Sequence, residues 1–225
     1  MGLSVDTLDF RLLEIEFELS DINYYLDLLE QQIKNLQAFK RLSKEKEIKK
    51  LGYDYDHPAL QMAEHQFEYE IEFLIPRLFR SPFILTLYSV YESAVIEIAR
   101  HIKRQKRIDI DINDLKGDFL NRAKKYFKDV IHFPLCSINE TWTRITMLSE
   151  IRNAIAHANG RIEMLNKGTK QKISNWEKQK IGISSLEGFI FIEEYFLGDT
   201  LSLLSSSIND LIKRYKEWDD SLPSS

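Results

Sequence analysis

Apolar residues recur at spacings of three and four positions along the first part of the chain. The repeating positions are Leu8, Leu12, Ile15, Leu19, Ile22, Leu26, Leu29, Ile33 and Leu36. This spacing places their side chains on one face of a helix, and its persistence is typical of coiled-coil-like packing. The pattern predicts a helix over about 4–51 and a second helix from Pro58 to about Arg80. Residues 1–80 are therefore expected to form a long N-terminal helical hairpin.

Three further helical patterns follow the hairpin. The first begins at Ser81 and Pro82, residue types that favour a helix start, and the second covers 111–131. The third ends at Asn159 and Gly160, because these residue types are typical of the turn that follows a helix. We expect these helices to pack together as a bundle.

The last third of the chain has a different composition. Residues 161–185 are polar and rich in lysine, which predicts a loop. The stretch GFIFIEEYF, residues 188–196, is rich in aromatic and β-branched residues and predicts at most a short β segment. A final helix is expected over about 199–218. The predicted fold class is all-α, with the hairpin over 1–80 and a helical bundle over 81–218.

The composition is that of a globular protein with long helices. The chain has eight Gly and five Pro in 225 residues, with 44% hydrophobic and 29% charged residues, so few turns and a sizeable core are expected. A net charge of −4 argues against a protein that coats nucleic acid or an anionic membrane with its whole surface. It leaves room for a local basic groove.

Cysteine content and hydropathy indicate a compartment. Cys136 is the single cysteine, which excludes an intramolecular disulfide and a zinc cluster built on cysteines and suits a reducing cytosol. The first twenty residues have neither the basic start nor the apolar run of a signal peptide. No stretch approaches 18 uncharged apolar residues, so no membrane-spanning helix is expected. The predicted location is the cytoplasm.

The densest group of chemically useful side chains lies in EIRNAIAHANGRI, residues 150–162. On a helix with about 100° per residue, the apolar positions share one side: Met147, Leu148, Ile151, Ala154, Ile155 and Ala158. The opposite side carries Ser149, Glu150, Asn153, Ala156 and His157. Asn153 and His157 are one turn apart, and Arg152 flanks their face. This helix is therefore predicted to bury one side and to present polar groups on the other.

The motif resembles that of a known family. Arg152-Asn153, three residues and then His157, near the end of a late helix, resemble the Arg–four residues–His signature of HEPN domains. The stretch LYSVYESAVIEIARHI resembles the first core helix of such domains and includes Glu92, an acidic residue of the kind that often faces the motif. FIFIEEYF before a terminal helix also recurs in related families. The resemblance covers about Ser81–Trp218 and excludes the hairpin.

The resemblance implies a metal-independent endoribonuclease, as found among toxins and antiviral-defence effectors, that acts as a homodimer without a cofactor. His157 would act as general base or acid, because imidazole exchanges protons near neutral pH. Arg152 would stabilise the charge that develops on the phosphorane, and Asn153 would orient His157 or the phosphate. The RNA would be cleaved by attack of its own 2′-OH, which leaves a 2′,3′-cyclic phosphate and a 5′-OH.

Further residues are predicted to assist. Acidic and hydroxyl groups near the motif are expected to support it, namely Glu92, Ser149 and Glu150. Basic stretches are expected to guide the RNA backbone, with Arg100, Lys103, Arg104, Lys124 and Lys125 as candidates. The expected partners are RNA, a second copy of the chain, and an antitoxin or other partner protein, with no membrane.

Other interpretations stay open at this point. An Arg and a His near a helix C-terminus also serve as partners of the helix dipole and cap its last carbonyls. The chain would then be a non-catalytic helical module for protein interaction and dimerisation, or an RNA-binding accessory protein. Taken singly, the basic stretches are typical of solvated helix ends. Without a Gly-rich phosphate loop or a Gly-x-Ser-x-Gly sequence, an ATPase, a kinase or a serine hydrolase is not expected.

Overall fold

A computed structural model describes residues 7–51 and 58–220, with side chains over 13–47 and 61–218. The predictions that concern the first six residues, and the side chains of Leu8 and Leu12, lie outside this part. Helices make up most of the described chain, beside a single two-stranded sheet. The predicted all-α fold class is therefore confirmed, whereas the more specific HEPN type stays a prediction.

The elements follow one another in a simple order. The helices are α1 (Thr7–Leu51), α2 (Pro58–Glu68), α3 (Ile75–Lys106), α4 (Phe119–Lys125), α5 (Asn139–Ala158), α6 (Lys167–Lys178) and α7 (Glu194–Asp220). The strands are β1 (Ile183–Leu186) and β2 (Phe189–Ile192). Wider π-helical turns occur at Tyr69–Leu74 and Tyr126–Ile131, and short 3₁₀ turns occur at Ile112–Asp114 and Ile162–Met164. The π-helical turns make the helical backbone continuous from α2 into α3 and extend α4.

The chain forms two compact units. Unit 1 comprises Met1–Ile22, Thr86–Glu150 and Asp199–Ser225, and unit 2 comprises Asn23–Leu85 and Ile151–Gly198. Several long helices, including α1, α3 and α5, therefore contribute residues to both units. The predicted domain boundary after residue 80 falls inside α3, and the division into a hairpin and a bundle stays a prediction.

In unit 2, α1 packs against the helical arm that α2, the π-helical turn and the start of α3 form. A buried cluster joins them, made of Ile33, Ile71 and Ile75. Lys40 contacts Glu70, whereas Glu30, earlier in α1, contacts Arg80, later in the arm. The two helical segments therefore run antiparallel within unit 2.

The apolar repeat of α1 marks its buried face. Five of its members are buried, namely Ile15, Leu19, Ile22, Leu26 and Ile33, and Leu29 and Leu36 are half-buried. Glu30 is also buried on this face. The recurring apolar spacing is thus sufficient to identify the packed side of α1. The buried carboxylate of Glu30 is an exception that this spacing does not predict.

The helix continues through both prolines of α3, so the predicted helix start at Pro82 is wrong. Pro82 lies on an exposed part of the helix, where water can bond to the carbonyl that lacks a helical N–H. Pro76 follows the π-helical turn, in which an N–H at position 76 would bond to the Ile71 carbonyl. Gln37 Nε2 donates to that carbonyl instead, over 2.9 Å. A side chain of α1 thus replaces the hydrogen bond that proline cannot make.

The lysine-rich stretch over 161–185 is not the predicted loop, because it forms α6 and most of β1. Asn166 caps α6, since its Oδ1 accepts a hydrogen bond from the Thr169 N–H over 3.0 Å. Ile173 is buried on a helix that is otherwise mainly polar. With so few buried positions, the sequence shows no recurring apolar spacing that would indicate a helix. This explains why a loop was predicted here.

The β segment predicted near 188–196 is one arm of a hairpin. β2 pairs antiparallel with β1, a strand that the sequence pattern does not indicate. Glu187 and Gly188 in the turn have φ of 52° and 76°, as two-residue hairpin turns of the favoured twist require. The final helix α7 begins directly after the hairpin at Glu194, earlier than the predicted start at 199.

The single helix predicted over 111–131 is also wrong. Gly117, with φ of 118°, separates the 3₁₀ turn at Ile112–Asp114 from α4. Asp118 begins the new helix, because its Oδ1 accepts from the Asn121 N–H over 3.0 Å. The glycine therefore breaks the helix, and a carboxylate cap restarts it.

One helical stretch of the described chain has the length and apolar content of a membrane span. It is Gln61–Lys106, whose qualifying 18-residue window has a mean hydropathy of 1.2. Half of that window is buried inside the protein, and core helices of water-soluble proteins meet the same criterion. The predicted cytoplasmic location stays a prediction.

Candidate functional site

Helix α5 presents the predicted motif on its exposed side. The opposite side is buried as the sequence pattern predicts, through Leu148, Ile151, Ala154, Ile155 and Ala158. Asn153, Ala156 and His157 are exposed, and Arg152 is half-buried at the edge of their face. Packing therefore fixes one side of this helix and leaves the polar groups accessible on the other.

A hydrogen bond joins the first two residues of the motif. Arg152 Nη1 donates to Asn153 Oδ1 over 2.8 Å. This contact orients the guanidinium along the edge of the exposed face and uses the amide oxygen of Asn153 as acceptor. The amide Nδ2 is then the group with which Asn153 can donate to a ligand. The hydrogen bond thus holds the Asn153 amide beside the Arg152 guanidinium, and the expected role of Asn153 in orienting His157 or a phosphate stays a prediction.

The C-terminal end of α5 is attached to strand β2. Asn159 and Gly160 have φ of 49° and 70°, so the chain leaves the helix through the left-handed turn that the sequence predicts. The Gly160 N–H donates to the Ala154 carbonyl over 3.1 Å, and the Gly160 carbonyl accepts from the Ile190 N–H over 2.8 Å. The position of His157 is therefore set by both the helix and the hairpin.

Arg77 of α3 holds the same helix end. Its Nη2 donates to the Asn159 carbonyl over 2.7 Å, and its guanidinium carbon lies 4.0 Å from the centroid of the Phe189 ring. Arg77 is buried, and this burial lowers the pKa of its guanidinium. The positive charge of Arg161 lowers that pKa further. The residue ties α3, α5 and β2 together, and no local motif in the sequence indicates it.

Two carbonyls at the C-terminal end of α5 accept hydrogen bonds from groups other than the motif side chains. The Ala158 carbonyl accepts from the Arg161 N–H over 2.9 Å, and the Asn159 carbonyl accepts from Arg77. These two carbonyls therefore have donors other than Arg152 and His157, and a role of the two residues as partners of the helix dipole stays an alternative.

The predicted supporting residues belong to unit 1, whereas the three catalytic candidates belong to unit 2. Ser149 Oγ lies 3.2 Å from the Tyr88 hydroxyl oxygen and donates to it. Glu150, the next residue of α5, and Glu92 of α3 are both half-buried. Ser149 therefore has a partner on α3, which fixes the middle of α5 just before the motif begins.

The predicted RNA-binding residues also belong to unit 1. Arg100 pairs with Glu97 over 3.2 Å, and Lys103 pairs with Asp111 over 3.3 Å. The other candidates are exposed, namely Arg104, Lys124 and Lys125. Pairs near the surface contribute little to stability, so they leave both cations able to exchange partners with a phosphate.

Lys124 borders a pocket that the sequence pattern does not indicate. The pocket has a volume of about 260 Å³, lies within unit 1 and is lined by Lys124, Lys128, His132, Pro134, Leu135, Cys136, Ile138, Asn139 and Trp142. Lys124 Nζ lies 5.0 Å from the centroid of the Trp142 ring. The lining residues all lie in the stretch 124–142, which runs from α4 through its π-helical extension and the following segment into the start of α5, and only the fold of this stretch brings them together.

The exposed face of α5 offers a fixed cation, an amide donor and an imidazole. Arg152 and His157 are five positions apart and diverge by about 140° around the helix, so one small ligand reaches both groups of a single protomer with difficulty. Over residues 7–51 and 58–220, no three or more His, Cys, Asp or Glu side chains are grouped so that they could hold a metal ion.

Comparisons with known proteins identify no relative of this chain. No family model, no curated protein and no solved structure matches it. The resemblance to HEPN domains therefore rests on the motif and its flanking residues, and membership of that family stays a prediction.

Proposed function

We propose that this chain is a metal-independent endoribonuclease of HEPN type, acting as a toxin or an antiviral-defence effector. The observation that carries the proposal is the exposure of Asn153 and His157 on one face of α5, with Arg152 half-buried at the edge of that face. The buried side of that helix and its attachment to Arg77 and β2 hold this face in position. Catalytic groups need such support, because small displacements cost large factors in rate.

The proposed reaction uses groups that the RNA and the chain supply. The 2′-oxygen of a ribose attacks the adjacent phosphorus, and the bond from that phosphorus to the next 5′-oxygen breaks. His157 removes the 2′-proton or donates a proton to the leaving oxygen. Arg152, oriented by Asn153, donates to the non-bridging oxygens while negative charge develops on them. The products are a 2′,3′-cyclic phosphate and a 5′-OH.

Each chain is proposed to contribute half of a site. Because Arg152 and His157 diverge on one helix, two α5 helices around a two-fold axis would bring the arginine of one protomer toward the histidine of the other. Ala156 lies on the exposed face between them, and its small side chain allows a close approach. RNA and a second copy of the chain are thus the proposed partners.

Cleavage of single-stranded RNA in the presence of EDTA tests the proposal. We expect the purified chain to release 5′-OH products, and His157→Ala and Arg152→Ala each to lower the rate by about 10²–10⁴-fold. His65→Ala and Arg144→Ala are the matched controls, since they remove the same residue types outside the motif and are expected to retain activity. Full activity in His157→Ala would rule the proposal out.

A non-catalytic interaction module is the second candidate, and one observation favours it. Helix α1 exposes several large apolar side chains to solvent, among them Phe17, Tyr24 and Phe39. A series of such side chains on one surface is typical of a site that binds another protein. On this alternative, the wild-type chain binds a partner protein and cleaves no RNA. An accessory protein would bind RNA without cleaving it, so the same assay separates the three cases when RNA binding is measured beside cleavage.

A further inference from the structure

Helix α1 carries a second apolar face on the side away from its buried face. Its members are between 40% and 66% exposed and are Leu13, Phe17, Tyr24, Leu28, Phe39 and Leu42. At about 100° per residue they fall within a sector of roughly 80°, on the opposite side from the buried repeat. Because α1 is one unbroken helix, these positions follow from the helix alone. We refer to the six residues as the outer stripe.

The outer stripe is long enough to serve as an interface. It extends over residues 13–42, which is about 44 Å at 1.5 Å per residue. Single exposed apolar side chains are ordinary, but an aligned series of them marks a surface that another molecule covers. Its middle carries Gln31 and Asn35, joined by a hydrogen bond of 3.0 Å. A polar layer inside an apolar seam is a known means of fixing the alignment of two helices.

Charge is distributed unevenly along the same helix. Residues 13–28 carry five carboxylates and no Lys or Arg, a net charge of −5. Residues 31–47 carry five cations and two carboxylates, a net charge of +3. Three of these cations pair with carboxylates of the same chain, namely Lys34 with Glu194, Lys40 with Glu70 and Arg41 with Glu72, and Lys44 lies over the Phe67 ring. These pairs are exposed and contribute little to stability, so they can be exchanged for others.

We propose that the outer stripe binds the outer stripe of a second copy, with the two α1 helices antiparallel around a two-fold axis near Leu28. This arrangement brings Leu13 against Leu42 of the second copy. It also opposes the acidic half of each helix to the half that carries the cations. A parallel arrangement would oppose five carboxylates to five others, so the charges select the antiparallel one.

The aromatic residues fit the same alignment. Phe17 meets Phe39 of the second copy at both ends of the seam, since a two-fold axis repeats every contact. Tyr24 then lies opposite Gln31 of the second copy, where its hydroxyl can reach an amide. The outer stripe of one copy thus matches the outer stripe of a second copy that runs in the opposite direction.

Cysteine cross-linking of the full-length chain tests the direction of the helices. In a Cys136→Ser background, Leu28→Cys is expected to form an interchain disulfide under oxidising conditions, because the two copies of residue 28 meet at the axis. Phe17→Cys and Phe39→Cys are each expected to stay uncross-linked alone and to cross-link when mixed. Glu18→Cys, exposed on another side of α1, is the matched control that should not react. Self-cross-linking of Phe17→Cys would overturn the proposal.

Light scattering measures the association itself. We expect a dimer for the wild-type chain, a dimer for Phe39→Leu, and a dissociation constant at least about tenfold higher for Phe39→Glu. A monomeric wild-type chain, or an unweakened Phe39→Glu dimer, would contradict the pairing. An unweakened Phe39→Glu dimer would leave the proposed nuclease standing, because that nuclease shares its site through α5, whereas a monomeric wild-type chain would contradict both proposals. Conversely, a finding that His157 has no catalytic role would not affect the proposed pairing of the α1 helices.

Discussion

Two arginines of unit 2 show two different uses of one side chain. Arg80 is buried, and its Nε and Nη2 donate to the two carboxylate oxygens of Glu30, each over 2.8 Å. Its Nη1 also donates to the Ile192 carbonyl over 3.1 Å. Arg152 is half-buried, and Nη1 donates to Asn153, the next residue, on the face that exposes His157. Arg80 links three elements, whereas the Asn153 contact orients Arg152 locally.

The difference separates stability from function. A buried charge is tolerated only with a close partner and full hydrogen bonding, so the Glu30–Arg80 pair belongs to the framework of unit 2. An arginine oriented at an accessible surface can instead donate to an anion that arrives from solution. We therefore expect substitutions of Arg80 to change folding and substitutions of Arg152 to change activity.

The largest expected effect concerns activity. Arg152→Ala should lower kcat/KM for RNA by about 10²–10³-fold, with a free energy of unfolding within about 0.5 kcal/mol of the wild type. Arg152→Lys should recover part of the loss, because lysine keeps the charge but not the planar fork. Rates and urea unfolding are measured on the same preparations. An Arg152→Ala chain that is strongly destabilised would place Arg152 in the framework beside Arg80.

The next largest effect concerns stability. Arg80→Met should lower the free energy of unfolding by about 3–5 kcal/mol, because it leaves the Glu30 carboxylate buried without its partner. The double variant Glu30→Leu/Arg80→Met should be less destabilised than the single one, since it removes both charges. Urea denaturation measures both. A double variant as unstable as the single one would contradict the idea that the unpaired Glu30 carboxylate causes the destabilisation.

Arg77 lies between the two cases, because it is buried and also holds the end of the motif helix. Arg77→Met should lower the free energy of unfolding by about 1–3 kcal/mol, since the Asn159 carbonyl loses its donor. It should also lower RNA cleavage, because the turn after His157 is held less firmly. Loss of stability without any loss of activity would mean that β2 alone positions the histidine.

The smallest effect is a chemical one. Burial raises the pKa of the Cys136 thiol, although its contact with Ser207 opposes the shift. Less thiolate is then present at pH 7–8, so labelling by iodoacetamide should be slower than in the unfolded chain and should accelerate above about pH 9. The unfolded thiol loses its proton first as pH rises, so this group stabilises the fold less at high pH. Equal labelling rates in both states would contradict the burial.

Long periodic patterns made the main helices predictable. The buried side of α1 and the two sides of α5 follow from spacings that persist over many turns, and Asn159-Gly160 marks the end of α5 correctly. The short elements were not predictable, because α6 and β1 carry too few apolar residues to give a period. The expected break at Pro82 failed for another reason, since an exposed position tolerates the proline.

The candidate site was predictable only in its local part. Arg152, Asn153 and His157 lie within one turn and a half of helix, so the shared face of Asn153 and His157, with Arg152 at its edge, follows from the sequence spacing. Arg77 is remote in the chain, and only tertiary packing brings it to the Asn159 carbonyl. Likewise, the predicted apolar stripe of α1 identifies its buried side, but exposure has to be known before the outer stripe can be recognised.

The central claim is that each chain holds half of a ribonuclease site, and mixing two inactive variants tests it most directly. Arg152→Ala and His157→Ala are purified separately, mixed to allow exchange of protomers, and assayed for 5′-OH products in EDTA. A shared site predicts recovery of activity to about a quarter of the wild-type level, because half the dimers are mixed and each has one intact site of two. If exchange is confirmed and the mixture stays as inactive as its components, the claim of a site shared between protomers is contradicted.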